Sequence, residues 1–164
     1  MAPLVMLVIV SAGMACASLL GCGYARPWPA PVAVGLAAMF FMTGVSHFVP
    51  RRRAGLVAIV PSGLPRPKLL VTLTGVAEIV GAVGLLVPSS TGPWRSIAAG
   101  CLALLLVLVF PANVHAARAK LPAPAPSTPL VRRTIVQLVY LGASLLVAGP
   151  EMAALPVSGV GLQG

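Results

Sequence analysis

The acid–base chemistry of this 164-residue chain is sparse enough to name in full. Its only acids are Glu78 and Glu151, and its only histidines are His47 and His115. Glu78 lies in Thr74-Gly75-Val76-Ala77-Glu78-Ile79, the one charge between Lys68 and Arg95. A carboxylate isolated in apolar sequence costs on the order of a few kcal/mol to bury, so it needs a polar partner or an interior. Thr74, Gly75, Gly81 and Ala82 lie on neighbouring helical positions, and small residues at those spacings let a second helix approach closely. Glu78 is therefore expected to face an interior, either as a proton-accepting or ligand-binding carboxyl or as one structural interhelix hydrogen bond. His47 and His115 end two apolar runs. Two imidazoles on different helices suit a haem or a metal; each also suits a helix C-terminus, where a partly charged ring is favourable. Nothing near either histidine in sequence completes a metal set, so the capping role is favoured and neither metal nor haem is expected. Cys16, Cys22 and Cys101 form no C-x-x-C pair and read as small apolar residues. The chain has no P-loop, dinucleotide fingerprint or H-E-x-x-H motif.

The elements that must position these groups follow from composition. Hydrophobic residues make up 59% of the chain and charged residues 8%, with a mean hydropathy of +1.03. So much apolar surface cannot be hidden under so few charges in water, which excludes a soluble enzyme, a disordered chain and a nucleic-acid module. A bilayer core of about 30 Å takes about 20 helical residues. The uncharged stretches predict five spans, at 4–21, 32–49, 69–87, 96–114 and 134–149, the last short enough to need flanking residues. Glu78 would then lie about 14 Å along the helix from either end of its span. The runs are continuously apolar and rich in Leu, Ala and Val, unlike the alternating segments of a barrel strand. Leu19-Leu20-Gly21-Cys22 loosely resembles a lipoprotein cleavage site; the lack of a preceding Lys or Arg and the bulk of Leu20 favour a retained helix.

The net charge of +9 falls mainly in two loops. Loops 50–68 and 115–133 carry nine Lys/Arg and loops 22–31 and 88–95 carry two, which predicts a cytoplasmic N-terminus and an external C-terminus. Tyr24, Trp28 and Trp94 then fall at the external interface, where amphipathic rings prefer to sit. In loop 50–68 a triple arginine precedes the apolar run 56–60, too short to span and suited to lying along the interface. Pro122, Pro124, Pro126 and Pro129 favour an extended connector.

Several of these strings, taken together, resemble DoxX-like membrane proteins. They are Phe41-Met42-Thr43-Gly44-Val45-Ser46-His47-Phe48, Val60-Pro61 with Leu64-Pro65, Thr74 to Ile79 with Gly81, Gly84-Leu85-Leu86 and Pro88, and Phe110-Pro111-Ala112-Asn113-Val114. The resemblance covers roughly 32–149. It implies an all-α fold, a four-helix transmembrane bundle in a bacterial cytoplasmic membrane, here with one extra N-terminal transmembrane helix. The chain divides accordingly into 1–31, the bundle 32–149 and an external tail 150–164. The resemblance also implies an accessory or membrane-anchoring component of a redox system, with the lipid bilayer and a redox enzyme as partners. The alternatives are a quinone-linked oxidoreductase subunit, with quinone as the cofactor, and a small transporter or lipid-binding protein that uses a buried carboxyl. The expected polar pocket is His47, Glu78, Asn113 and Tyr140.

Overall fold

A computed structural model describes residues 2–25, 28–118 and 129–152. The regular elements among them are helices: α1 (Ala2–Leu19), α2 (Ala30–Ser46), α3 (Pro50–Ala58), α4 (Pro67–Leu85), α5 (Trp94–Arg118) and α6 (Leu130–Met152), with single 3-10 turns at Gly23–Ala25 and Ser89–Thr91. Proline opens three of them, at Pro31, Pro50 and Pro67. Its fixed φ is already helical, and its missing N–H would have had no partner in a first turn. Gly92, at φ 126°, supplies the left-handed backbone that turns the chain into α5.

Helices α1, α4, α5 and α6 are each long and apolar enough to cross a membrane. Helix α2 has 17 residues and is continued after a short break by α3, bent away by 88°. If α2 stands along the membrane normal, α3 lies in the plane of the surface. The short segment at 50–68 expected along the interface is thus a helix, and it starts earlier than the apolar run because Pro50 and the arginines form its first turn. Arg53 holds it down, donating from Nη2 to Thr72 Oγ1 at 2.8 Å and to the Lys68 carbonyl at 3.3 Å. The fifth expected span gains its missing length at both ends: α6 runs on to residues 130–133 and past 149.

Glycines set the order of packing. Gly35 of α2 meets Ser11 and the Leu7 carbonyl of α1; Gly44 of α2 meets Ile79 and Gly75 of α4; Gly81 and Gly84 of α4 meet Leu102 and Ala98 of α5. Rising numbers on α4 pair with falling numbers on α5, so the two are antiparallel. The same holds for α5 and α6, where Ser96 bonds to Val147 and Asn113 to Gln137. Helices α2, α4, α5 and α6 form a ring, closed by α6 against α2, and α1 packs outside on α2. Leu36, Met39, Phe40, Leu85, Leu102 and Val147 fill its core.

The outer surface is apolar. Ile9 is 64% exposed, Leu108 66% and Leu138 60%, each on a different helix. A water-soluble monomer does not present such continuous apolar faces. Lipid satisfies them at no cost, and helices satisfy their own backbone groups within it. The chain is a multi-pass helical membrane bundle.

Candidate functional site

Because the helices alternate in direction, the end of α2, the start of α4, the end of α5 and the start of α6 share one end of the bundle, and the start of α2, the end of α4, the start of α5 and the end of α6 share the other. Three polar clusters interrupt the apolar interior.

The first cluster joins α2 to α4. Thr43 and His47 are four residues apart on α2, as are Thr74 and Glu78 on α4, so each pair lies on one helical face. These faces meet where Gly44 and Gly75 remove the side chains between them. A Cβ on Gly75 would sit 2.6 Å from His47 Cβ, and one on Gly44 would sit 2.7 Å from Ile79 Cγ1 and 3.2 Å from Glu78 Cβ. His47 occupies the C-cap position of α2, where its backbone N–H bonds the Gly44 and Val45 carbonyls; the ring, expected to serve that helix end, turns to α4 instead. Nδ1 lies 2.9 Å from the Val71 carbonyl and 3.2 Å from Thr74 Oγ1. A carbonyl only accepts, so Nδ1 carries a hydrogen, and Nε2 is the ring nitrogen left to face α4. Glu78 Oε2 stands 3.8 Å from that Nε2. Both side chains are largely shielded, 12% and 14% exposed. The Thr43 hydroxyl donates to the Phe40 carbonyl at 3.1 Å, and Glu78 Oε2 has no hydrogen-bond partner among the described residues. The pair thus brings an imidazole and a carboxyl, two groups that can bind or release protons, to within 3.8 Å of each other.

The second cluster joins α5 to α6. Asn113 Nδ2 donates to Gln137 Oε1 at 2.7 Å, and Arg133 Nη1 donates to Asn113 Oδ1 at 3.5 Å. Gln137 Nε2 donates to the Leu106 carbonyl. Pro111 lies inside α5 and has no N–H, so the Val107 carbonyl one turn before it loses its helical partner. On α6, Arg133, Gln137, Tyr140, Ser144 and Val147 recur at three- and four-residue steps and form the inward stripe.

The expected four-residue pocket is therefore divided. His47 and Glu78 meet; Asn113 belongs to the α5–α6 network; Tyr140 packs against the apolar core and shares α6 with Gln137. His115 lies in the last turn of α5, half-buried and apart from His47 in the recorded contacts. Sequence reasoning missed Gln137 and Ser144, both buried, for which the stripe on α6 was the available signal. It also missed the third cluster. Arg95, read only as a loop charge, is 2% exposed. Its Nε donates to the Leu85 carbonyl at 3.2 Å and its Nη2 to Tyr24 Oη at 3.2 Å, while the guanidinium lies 5.5 Å over the Tyr24 ring. Tyr24 in turn donates to the Leu86 carbonyl at 2.6 Å.

Fold and polar sites together define a small polytopic membrane protein with an interhelical His–Glu pair. The chain belongs to the family described as Domain of unknown function (DUF8561), which matches residues 36–148. The match runs from within α2 to near the end of α6, so it takes in the four-helix ring and α3 and leaves α1 outside. His47, Glu78, Asn113, Gln137 and Arg95 all fall within it. No curated protein and no solved structure matches the chain.

Proposed function

We propose that this protein is an accessory or membrane-anchoring component of a redox system, and that His47 and Glu78 are its proton-exchanging site. The observation that carries the reading is the 3.8 Å approach of His47 Nε2 to Glu78 Oε2 between two apolar helices. The approach is longer than a hydrogen bond, and Glu78 Oε2 has no hydrogen-bond partner among the described residues. Such a pair gives a membrane-soluble carrier a group to bond and a proton to trade. A quinone is the carrier that fits by chemistry, since its oxygens accept hydrogen bonds and take up protons on reduction. The redox assignment rests on the resemblance of the strings around Thr43–His47 and Thr74–Glu78 to DoxX-like proteins. The same resemblance supports a bacterial cytoplasmic membrane as the location. The excess of Lys/Arg at the α3 end of the bundle supports a cytoplasmic N-terminus and an external C-terminus.

The test is native mass spectrometry of the detergent-purified protein, with Glu78→Gln and His47→Gln beside it. The expected result is a bound quinone or a co-purifying redox enzyme that both substitutions remove while the protein stays monodisperse. Wild type that retains neither, in a membrane extract where quinones are present, refutes the reading. The orphaned carboxyl oxygen also fits a second reading, a small proton-linked transporter; flux in liposomes driven by a pH gradient and abolished by Glu78→Gln would select it.

A further inference from the structure

At the end of the bundle opposite α3, a cavity of about 260 Å³ is lined by Gly23, Tyr24, Pro88, Ser89, Ser90 and Arg95. It is separate from the His47–Glu78 pair, which packs along the middle of α4 rather than at its end. Arg95 is the largest fully buried side chain among the described residues. Burying a cation costs several kcal/mol unless an anion accompanies it. Glu78 faces His47, and among the described residues Arg95 has no carboxylate partner. Its partners among the described residues are neutral, namely the Leu85 carbonyl, the Tyr24 hydroxyl and the Tyr24 ring. These contacts orient the guanidinium without cancelling its charge. They occupy two of its five N–H donors, and the side chain lines the cavity with the others to spare.

We infer that this cavity binds a phosphate-type oxyanion, with Arg95 as the charge partner and the Ser89 and Ser90 hydroxyls as neighbouring donors. A guanidinium pairs with phosphate through two parallel hydrogen bonds, which fits a fixed, planar donor better than a mobile lysine. Tyr24 is the positioning residue: its hydroxyl donates to the Leu86 carbonyl and accepts from Arg95, so it holds the fork in place and leaves it a cation. The volume is several times the roughly 30 Å³ that one water takes in the liquid, enough for a phosphate group. The cavity lies where α4 ends and α5 begins, at the level where a spanning bundle meets headgroups. The phosphate therefore comes either from a lipid headgroup or from a soluble phosphate compound.

Two arms separate these sources. The full chain, purified in a phosphate-free maltoside detergent, is titrated with inorganic phosphate in one arm and with phosphatidylglycerol in the other. Binding is read from Trp94 fluorescence, since Trp94 adjoins Arg95 in sequence, and from native mass spectrometry. Two variants accompany wild type. Arg95→Gln removes the charge. Gly23→Leu adds a side chain at a residue that lines the cavity and leaves Arg95 in place; a Cβ there meets no atom within 4 Å. The expected result is saturable binding in at least one arm that both variants weaken tenfold or more. Binding in the phosphate arm alone assigns a soluble ligand, and in the phosphatidylglycerol arm alone a headgroup; both support the site. Absence of binding in both arms overturns it. So does lipid binding that Gly23→Leu leaves unchanged, since that would belong to the exposed arginines of α3.

Discussion

The close crossing of α2 over α4 makes a prediction whose sign depends on the tertiary structure alone. Replacing Gly44 or Gly75 by Ala adds the same methyl group to a helix as replacing Gly100 or Gly142. In an isolated helix all four changes help, by up to about 1 kcal/mol. In the bundle they diverge. A Cβ at Gly44 would lie 2.7 Å from Ile79 Cγ1 and 3.0 Å from the Gly75 carbonyl; one at Gly75 would lie 2.6 Å from His47 Cβ. Carbon atoms pack at about 3.5–4.0 Å, so each crossing must open by roughly 1 Å. Overpacking of that kind costs typically about 1–3 kcal/mol, which outweighs the propensity gain. At Gly100 and Gly142 a Cβ meets nothing within 4 Å, and the gain stands. The assay is thermal unfolding in one detergent, followed by tryptophan fluorescence. Scaled at about 2–4 °C per kcal/mol for a chain of this size, Gly44→Ala and Gly75→Ala should lower the midpoint by several degrees. Gly100→Ala and Gly142→Ala should leave it unchanged or raise it slightly. A result in which all four behave alike would refute the packing argument. Gly75→Ala should also weaken any ligand that depends on His47, because the methyl group displaces that ring first.

A double-mutant cycle on Asn113→Leu and Gln137→Leu should show a coupling of about 0.6 kcal/mol and no more than about 1.7, the range of interhelical hydrogen bonds in membranes; additive losses would mean that the 2.7 Å bond contributes nothing. Single cysteines placed at Ser62 and Ser127, in an otherwise cysteine-free chain, should both label from the cytoplasmic side only. Labelling of both from outside reverses the topology, and labelling from opposite sides breaks the antiparallel order of α4, α5 and α6. Glu78→Gln should leave the unfolding midpoint within about 1 °C of wild type, because Oε2 has no hydrogen bond to lose; a large fall would mean that the carboxylate is a structural ion pair.

How much was legible in advance depended on which signals are one-dimensional. Apolar run length, proline at helix starts and the clustering of arginine in two loops are properties of consecutive residues. They were sufficient to predict a multi-pass helical bundle and its long apolar helices α1, α4, α5 and α6. Glu78 also stood out, because a lone acid in an apolar run is costly wherever that helix packs. The choice of partners was not legible. Asn113 and His47 both end apolar runs toward the same side, and only the ring order of the helices sends one to Gln137 and the other to Glu78. Arg95 looked like a loop charge because sequence does not record that the end of α4 and the ring of Tyr24 fold over it. Helix formation is local and is enforced by lipid at every residue; which faces meet is decided by a few glycines whose missing side chains matter only once another helix is there to fill the space.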